Sequence, residues 1–145
     1  MKITILDKLP TEEEELILKC DSLDNDLYKL INRLKSGTSK MSVYSDGKIH
    51  LINPSDIYYF EAVDQKVFAY GKQTVYEVKA RLYELEEELS CRDFLRSSKS
   101  TILNINKVKS LSPALGGRFE ALLHNGEKVI ISRQYVPDLK ELLGI

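Results

Sequence analysis

The residues of this chain best suited to chemistry are cations without carboxylate neighbours. Between Phe94 and Phe119 there is no acidic residue, yet Arg96, Lys99, Lys107, Lys109 and Arg118 fall there. The whole chain carries a formal net charge of −1, but residues 92–145 hold nine Lys and Arg against five Asp and Glu. A near-neutral protein with this asymmetry can still present a local anion-attracting face. On charge alone the face could meet a polyanion or remain an idle basic surface.

Other chemistries find no support in the residue pattern. The two histidines, His50 and His124, each sit beside an expected hairpin turn, with no Cys or His neighbours at metal-ligand spacing. Gly116-Gly117 reads as a turn rather than a phosphate-cradling loop. Ser97, Ser98 and Ser100 lie outside any nucleophile-elbow pattern. The carboxylates Glu84, Glu86, Glu87 and Glu88 cluster on the outer face of an expected helix, where water keeps them ordinary. Cys20 and Cys91 match no redox or metal spacing, so both are expected to be reduced packing residues of a cytoplasmic protein. No apolar run reaches the roughly 18–20 residues that cross a bilayer, and the first residues lack the apolar stretch of a signal peptide. No cofactor, metal or small-molecule substrate is expected, and the chain reads as a non-enzyme.

The elements that must position the cations are mostly strands. Met41, Val43, Ile49 and Leu51 flank Asp46-Gly47, a strong hairpin signal. Asn53-Pro54-Ser55 breaks the chain before the β-branched and aromatic runs 57–61 and 67–70. Leu82, Leu85 and Leu89 then mark one amphipathic helix. Strands return at 101–103 and 108–111. A second hairpin, 119–123 with 128–131, turns at Asn125-Gly126, a pair that favours type I′. Ser132 is a possible cap for a closing helix containing Leu139, Leu142 and Leu143.

Residues 1–36 read differently. Ile3 and Ile5 suggest one strand, Leu16 to Leu18 a second, and Leu23, Leu27, Leu30, Ile31 and Leu34 a helix capped by Asp21 or Ser22. This gives a small β-β-α extension (1–36), a linker at Gly37-Thr38-Ser39, and a mainly β domain over 40–145. The apolar helix stripe could form a dimer contact, dock a partner, or pack on the chain's own domain.

Four segments together resemble the LytTR-type DNA-binding domain of bacterial response regulators. They are Ile57-Tyr58-Tyr59-Phe60-Glu61-Ala62; Gln65-Lys66-Val67; the stretch from Phe94 to Asn104 with its Phe-x-Arg start and Ser-x-Ile-x-Asn end; and Ile130-Ile131-Ser132-Arg133-Gln134-Tyr135. Their order and spacing agree over about residues 40–145. The resemblance implies an elongated antiparallel β-sheet fold with one or two short helices, in which loops at the sheet edges, not a recognition helix, enter successive major grooves of double-stranded DNA. By position, the DNA-binding residues would be Lys66, Ser98, Lys99, Ser100 and Arg133, with Arg96 nearby. Many relatives carry a histidine where Ser98 stands.

Side-chain chemistry suits those roles. Arg133 offers a planar fork able to pair two acceptors on a guanine edge. Lys99 can reach a phosphate or a base acceptor, and Ser98 and Ser100 suit register-fixing phosphate contacts. Each also has a plainer reading: Arg96 paired with a carboxylate such as Glu61, Arg133 capping a carbonyl, Lys66 merely solvated, Lys107 and Lys109 peripheral. The resemblance further implies a bacterial homodimer on repeated half-sites. With no receiver domain expected in 36 residues, it implies control by a membrane-spanning inhibitory partner. The competing reading is a β-class protein-interaction module whose basic stretch serves an acidic partner. Single-stranded nucleic acid stacked on the eight tyrosines is a third.

Overall fold

A computed structural model describes residues 2–36, 40–90 and 92–145; the expected linker at 37–39 and Cys91 lie outside the described residues. Among the described residues, ten strands form two antiparallel sheets. The larger contains β1 (Met41–Ser45), β2 (Lys48–Ile52), β3 (Tyr59–Val63), β4 (Lys66–Tyr70), β5 (Val75–Val78), β6 (Phe94–Ser98) and β7 (Thr101–Asn104), in the order β2-β1-β5-β4-β3-β7-β6. The smaller contains β8 (Val108–Ala114), β9 (Arg118–Leu123) and β10 (Lys128–Ile131), in the order β10-β9-β8. Helix α1 (Asn25–Ser36) precedes the sheets, α2 (Leu82–Glu88) lies between β5 and β6, and α3 (Val136–Leu143) closes the chain. The expectation of a mainly β, antiparallel domain with short helices is met.

Period-two alternation divides the apolar residues between two cores. Val43, Phe60, Ala69 and Ile102 pack with Leu82, Leu85 and Leu89 of α2. Tyr58, Leu95 and Leu103 pack with Ala121, Leu123 and Ile131 of the small sheet and with Val136 and Leu139 of α3. Strand β7 serves both, since Ile102 and Leu103 point to opposite faces and all four of its residues are buried. Each fully buried Leu, Ile or Phe contributes roughly 1.5–3 kcal/mol.

Asn104 ends β7 and ties the two cores at their seam. Its Nδ2 donates to the carbonyls of Ile57 (2.8 Å) and Ser55 (3.2 Å), while its Oδ1 accepts from the Asn106 N–H at 3.0 Å. The Ser-x-Ile-x-Asn ending therefore closes on a buried structural amide.

Five local expectations need correction. The Asn125-Gly126 turn is not type I′: only Gly126 takes a positive φ (88°), and Leu123 N–H donates to Glu127 O at 2.8 Å across a three-residue loop. That is the geometry of a turn closed by a glycine bulge. Ser132 does not cap α3 with its side chain; Tyr135 stands at the helix N-cap. In the extension α1 forms, but neither strand does. Ile3, Ile5, Leu16 and Ile17 stay exposed, and two short strands without a third or a helix to cover them are marginal in water. Asp24, not Asp21 or Ser22, caps α1, its Oδ1 accepting from Leu27 N–H at 2.8 Å. Cys20 is exposed and so is no packing residue.

Candidate nucleic-acid interface

The positioning of the cations begins with a β-bulge. Arg96 pairs with Ile102 and Ser98 with Thr101, leaving Ser97 as the extra residue of β6. Ser97 is fully buried, and its Oγ donates to Thr101 O at 3.3 Å. The freed Ser97 carbonyl accepts the N–H of Ser132 at 2.8 Å. This one bond fastens the β6–β7 turn to the segment that follows β10, and so brings Arg133 beside Ser98-Lys99-Ser100.

A second bond brings in Lys66. The Ser100 carbonyl accepts the Ala62 N–H at 2.8 Å, extending the β3–β7 ladder to the end of β3. The β3–β4 turn lies just beyond, with Val63 opposite Lys66. Asp64 (φ 50°) and Gln65 (φ 66°) both take the left-handed conformation that a two-residue type I′ turn demands. Asp tolerates it, whereas Gln rarely does, so the cost is met by the paired strands on either side.

A fourth turn joins them. The β8–β9 tip closes with Ala114 opposite Arg118, over Leu115, Gly116 and Gly117. A Cβ added at Gly117 would lie 3.3 Å from Cγ and Cδ of Arg133, so the Arg133 side chain runs across that glycine. Thus turns from four separate parts of the chain meet at one end of the molecule. They expose Lys66, Lys99, Arg118 and Arg133, and among the described residues none of the four forms an ion pair. Asp64 is the single acidic residue in these turns.

Arg96 behaves differently. Its Nε donates to Ser98 O at 2.8 Å, one Nη donates to Lys99 O, and the other pairs with Glu86 Oε2 at 2.8 Å. The carboxylate partner is Glu86 on α2 and not Glu61. The guanidinium, mostly covered, holds the two carbonyls of the β6–β7 turn, so Lys99 is presented by a clamped backbone. Ser98 and Ser100 tighten the same turn, with Ser100 N–H donating to Ser98 Oγ at 3.2 Å.

Lys107 stands apart, its Nζ 5.2 Å above the Tyr58 ring. Lys109 occupies the far end of β8, about 17 Å from the tip at about 3.4 Å per residue. Both are peripheral to the four turns. On the small-sheet side, the Tyr59 hydroxyl is pushed up from its ordinary value, first by burial and then by its hydrogen bond to Glu127. The Tyr70 ring stacks on it at 4.5 Å, and burial pushes its hydroxyl up too. These tyrosines are packed side chains and not free stacking platforms. The residue that sequence reasoning left out is Arg118. The signal was present, since it lies in the acid-free stretch beside two glycines.

Among protein families, the LytTr DNA-binding domain matches residues 47–144. The chain belongs to the LytTr DNA-binding domain family. A solved LytTr domain from Bacillus cereus superimposes with a TM-score of 0.70 at 28% identity, covering 75% of this chain and 100% of that one. The sensory transduction protein LytT of Enterococcus faecalis is 27% identical over 140 residues, 94% of this chain and 58% of that protein. The chain therefore spans little more than half the length of that relative. An uncharacterized HTH-type transcriptional regulator of Staphylococcus aureus is 28% identical over 147 residues, 100% of this chain and 99% of that protein. LytTr domains bind DNA and are not enzymes, and regulator relatives along the whole chain support DNA-binding transcription regulation. Among the described residues, no helix is long and apolar enough to cross a membrane.

Proposed function

We propose that this chain is a sequence-specific regulator that reads the major groove of double-stranded DNA with its turns and acts as a dimer on repeated half-sites. The observation that carries the reading is the convergence of Lys66, Lys99 and Arg133 on turns fastened together by the Ala62–Ser100 and Ser132–Ser97 backbone bonds. Cations left without carboxylate partners in this arrangement suit a polyanion. Arg133 is the base reader, its fork matched to the guanine edge. Lys66 and Lys99, with the short hydroxyls of Ser98 and Ser100, hold phosphates and set register. Arg96 serves the interface through the turn it clamps.

The dimer uses the extension. Leu30 and Leu34 of α1, with Leu23 just before the helix, stay exposed, an apolar face that a second copy would cover. A small domain offers limited interface and modest specificity alone, which two half-sites multiply. Sequestration by a membrane-spanning partner, the control implied by the family resemblance, would occupy the same stripe. A chain beginning at Ser39 should be monomeric by light scattering; if it stays dimeric, the extension is not the dimer contact.

The test of DNA reading is selection of duplexes from a random pool, followed by titration against scrambled competitor at several salt concentrations. Competitor-resistant binding with a steep salt dependence is expected, because each neutralised phosphate adds about 0.9 to the log–log slope. Binding indifferent to sequence, or none at all by a folded chain, would leave the protein-interaction reading.

A further inference from the structure

The β8–β9 tip has a composition that its fold does not explain. Leu115 is 93% exposed, the most exposed large hydrophobic side chain among the described residues. It is held out by a tightly built turn, since Gly116 and Gly117 both adopt φ 75°, where a side chain would be strained. Gly117 also leaves room for Arg133 to cross the turn, so the tip and Arg133 share one surface. The register sets Phe119 opposite Ile131, and one step further brings Arg118 level with Ser132. Among the described residues, Arg118 forms no ion pair. Glu120, two residues on along the same face of β9, is paired with Lys128 at 3.5 Å.

From this juxtaposition we infer that the tip is a further DNA-contacting element, with Arg118 on a backbone phosphate and Leu115 against the apolar part of the duplex beside it. The inference rests on the DNA reading proposed above and adds to it a contact that carries both charge and apolar surface. Phosphate neutralisation needs only an unpaired cation at the surface, which Arg118 supplies. Leu115 has no apolar neighbours to bury it in the free protein, whereas a deoxyribose or thymine methyl offers apolar surface next to the phosphates.

The experiment uses the full chain and a labelled duplex selected by the wild-type protein, with Arg118→Gln, Leu115→Ser and Lys99→Ala compared over a range of salt. Arg118→Gln should lower the magnitude of the salt slope by about 0.9 per protomer. Leu115→Ser should weaken binding at least about threefold with the slope unchanged, because no phosphate contact is lost. Both positions are exposed, so thermal unfolding of each variant should match wild type. If either variant binds as wild type while Lys99→Ala flattens the slope, the tip is no contact element and the DNA reading survives. If the wild-type chain selects no duplex, the DNA reading fails and this inference with it.

Discussion

Replacing Arg96 by Lys separates a residue that touches DNA from one that shapes the turn. The guanidinium makes three bonds: to Ser98 O at 2.8 Å, to Lys99 O, and to Glu86 Oε2 at 2.8 Å. An ammonium keeps the charge but not the fork, and from one point it can satisfy about one of the three acceptors. Two bonds from a charged donor are lost. The turn carbonyls have some access to water, so each loss is discounted from the roughly 1.5–3 kcal/mol of hydrogen bonds to charged groups to about 1 kcal/mol. The total is about 2 kcal/mol, or a fall in Tm of about 4–8 °C for a chain of this size. Glu86→Gln breaks only the ion pair, whose carboxylate side chain is 49% exposed. Screening by water limits that cost to under about 1 kcal/mol. The assay is urea unfolding of the free protein, followed by duplex binding. Arg96→Lys should be clearly less stable than Glu86→Gln and should bind the selected duplex more weakly. If Arg96→Lys unfolded within 0.5 kcal/mol of wild type, taken as the limit for an idle surface site, the clamp would be refuted.

Further expectations follow from the same framework. Asn104→Ala leaves the Ile57 carbonyl and the Asn106 N–H without their partner in a 1% exposed site; at about 1–3 kcal/mol for unsatisfied buried polar groups, it should be among the most destabilising polar substitutions by urea unfolding. The Tyr59 hydroxyl is held neutral in the folded chain above its ordinary value of 10.0. The folded state then keeps a proton that the unfolded state releases. Stability is intact below about pH 10 and falls as pH rises beyond it. Tyr59→Phe should remove that part of the alkaline loss in a pH-dependent melt, and an unchanged profile would show that Tyr59 is not its source. Gly117→Ala, at φ 75° and 3.3 Å from Arg133, should cost about 1–2 kcal/mol in unfolding free energy and displace the arginine; an unaltered duplex affinity would show that the Arg133 path over Gly117 is immaterial.

Much of the β framework is legible in local sequence. Asp46-Gly47 takes the two positive φ values (52° and 71°) that its residue types invite. The spacing of Leu82, Leu85 and Leu89 gives α2 and its buried face at once. Strand β5 is less legible. Val75–Val78 becomes a strand by pairing with β4 on one side and β1 on the other, partners that no short window contains. The converse error occurs at Ile3, Ile5 and Leu16 to Leu18. Their pattern is strand-like, but no ladder is there to satisfy their backbone groups.

The site was legible as residue types and not as an arrangement. Lys66, Lys99 and Arg133 stand far apart in sequence, and what unites them is a bulge at Ser97 and two backbone hydrogen bonds that propensity cannot reveal. Arg96 was visible as a residue able to pair internally. Its partner, Glu86, was hidden among helix carboxylates that all look equally solvated. Arg118 was in view as charge, but only the closure of the β8–β9 tip against Arg133 places it with the others.

The most direct test of the central claim is the base preference of Arg133→Ala beside wild type, read by competition with single base-pair variants of the selected duplex. If Arg133 reads a base, wild type should discriminate at one position by about 1–3 kcal/mol, and the variant should lose that discrimination while still binding duplex. Equal discrimination by the two folded proteins at every position would contradict the claim that this cluster of turns reads DNA through Arg133.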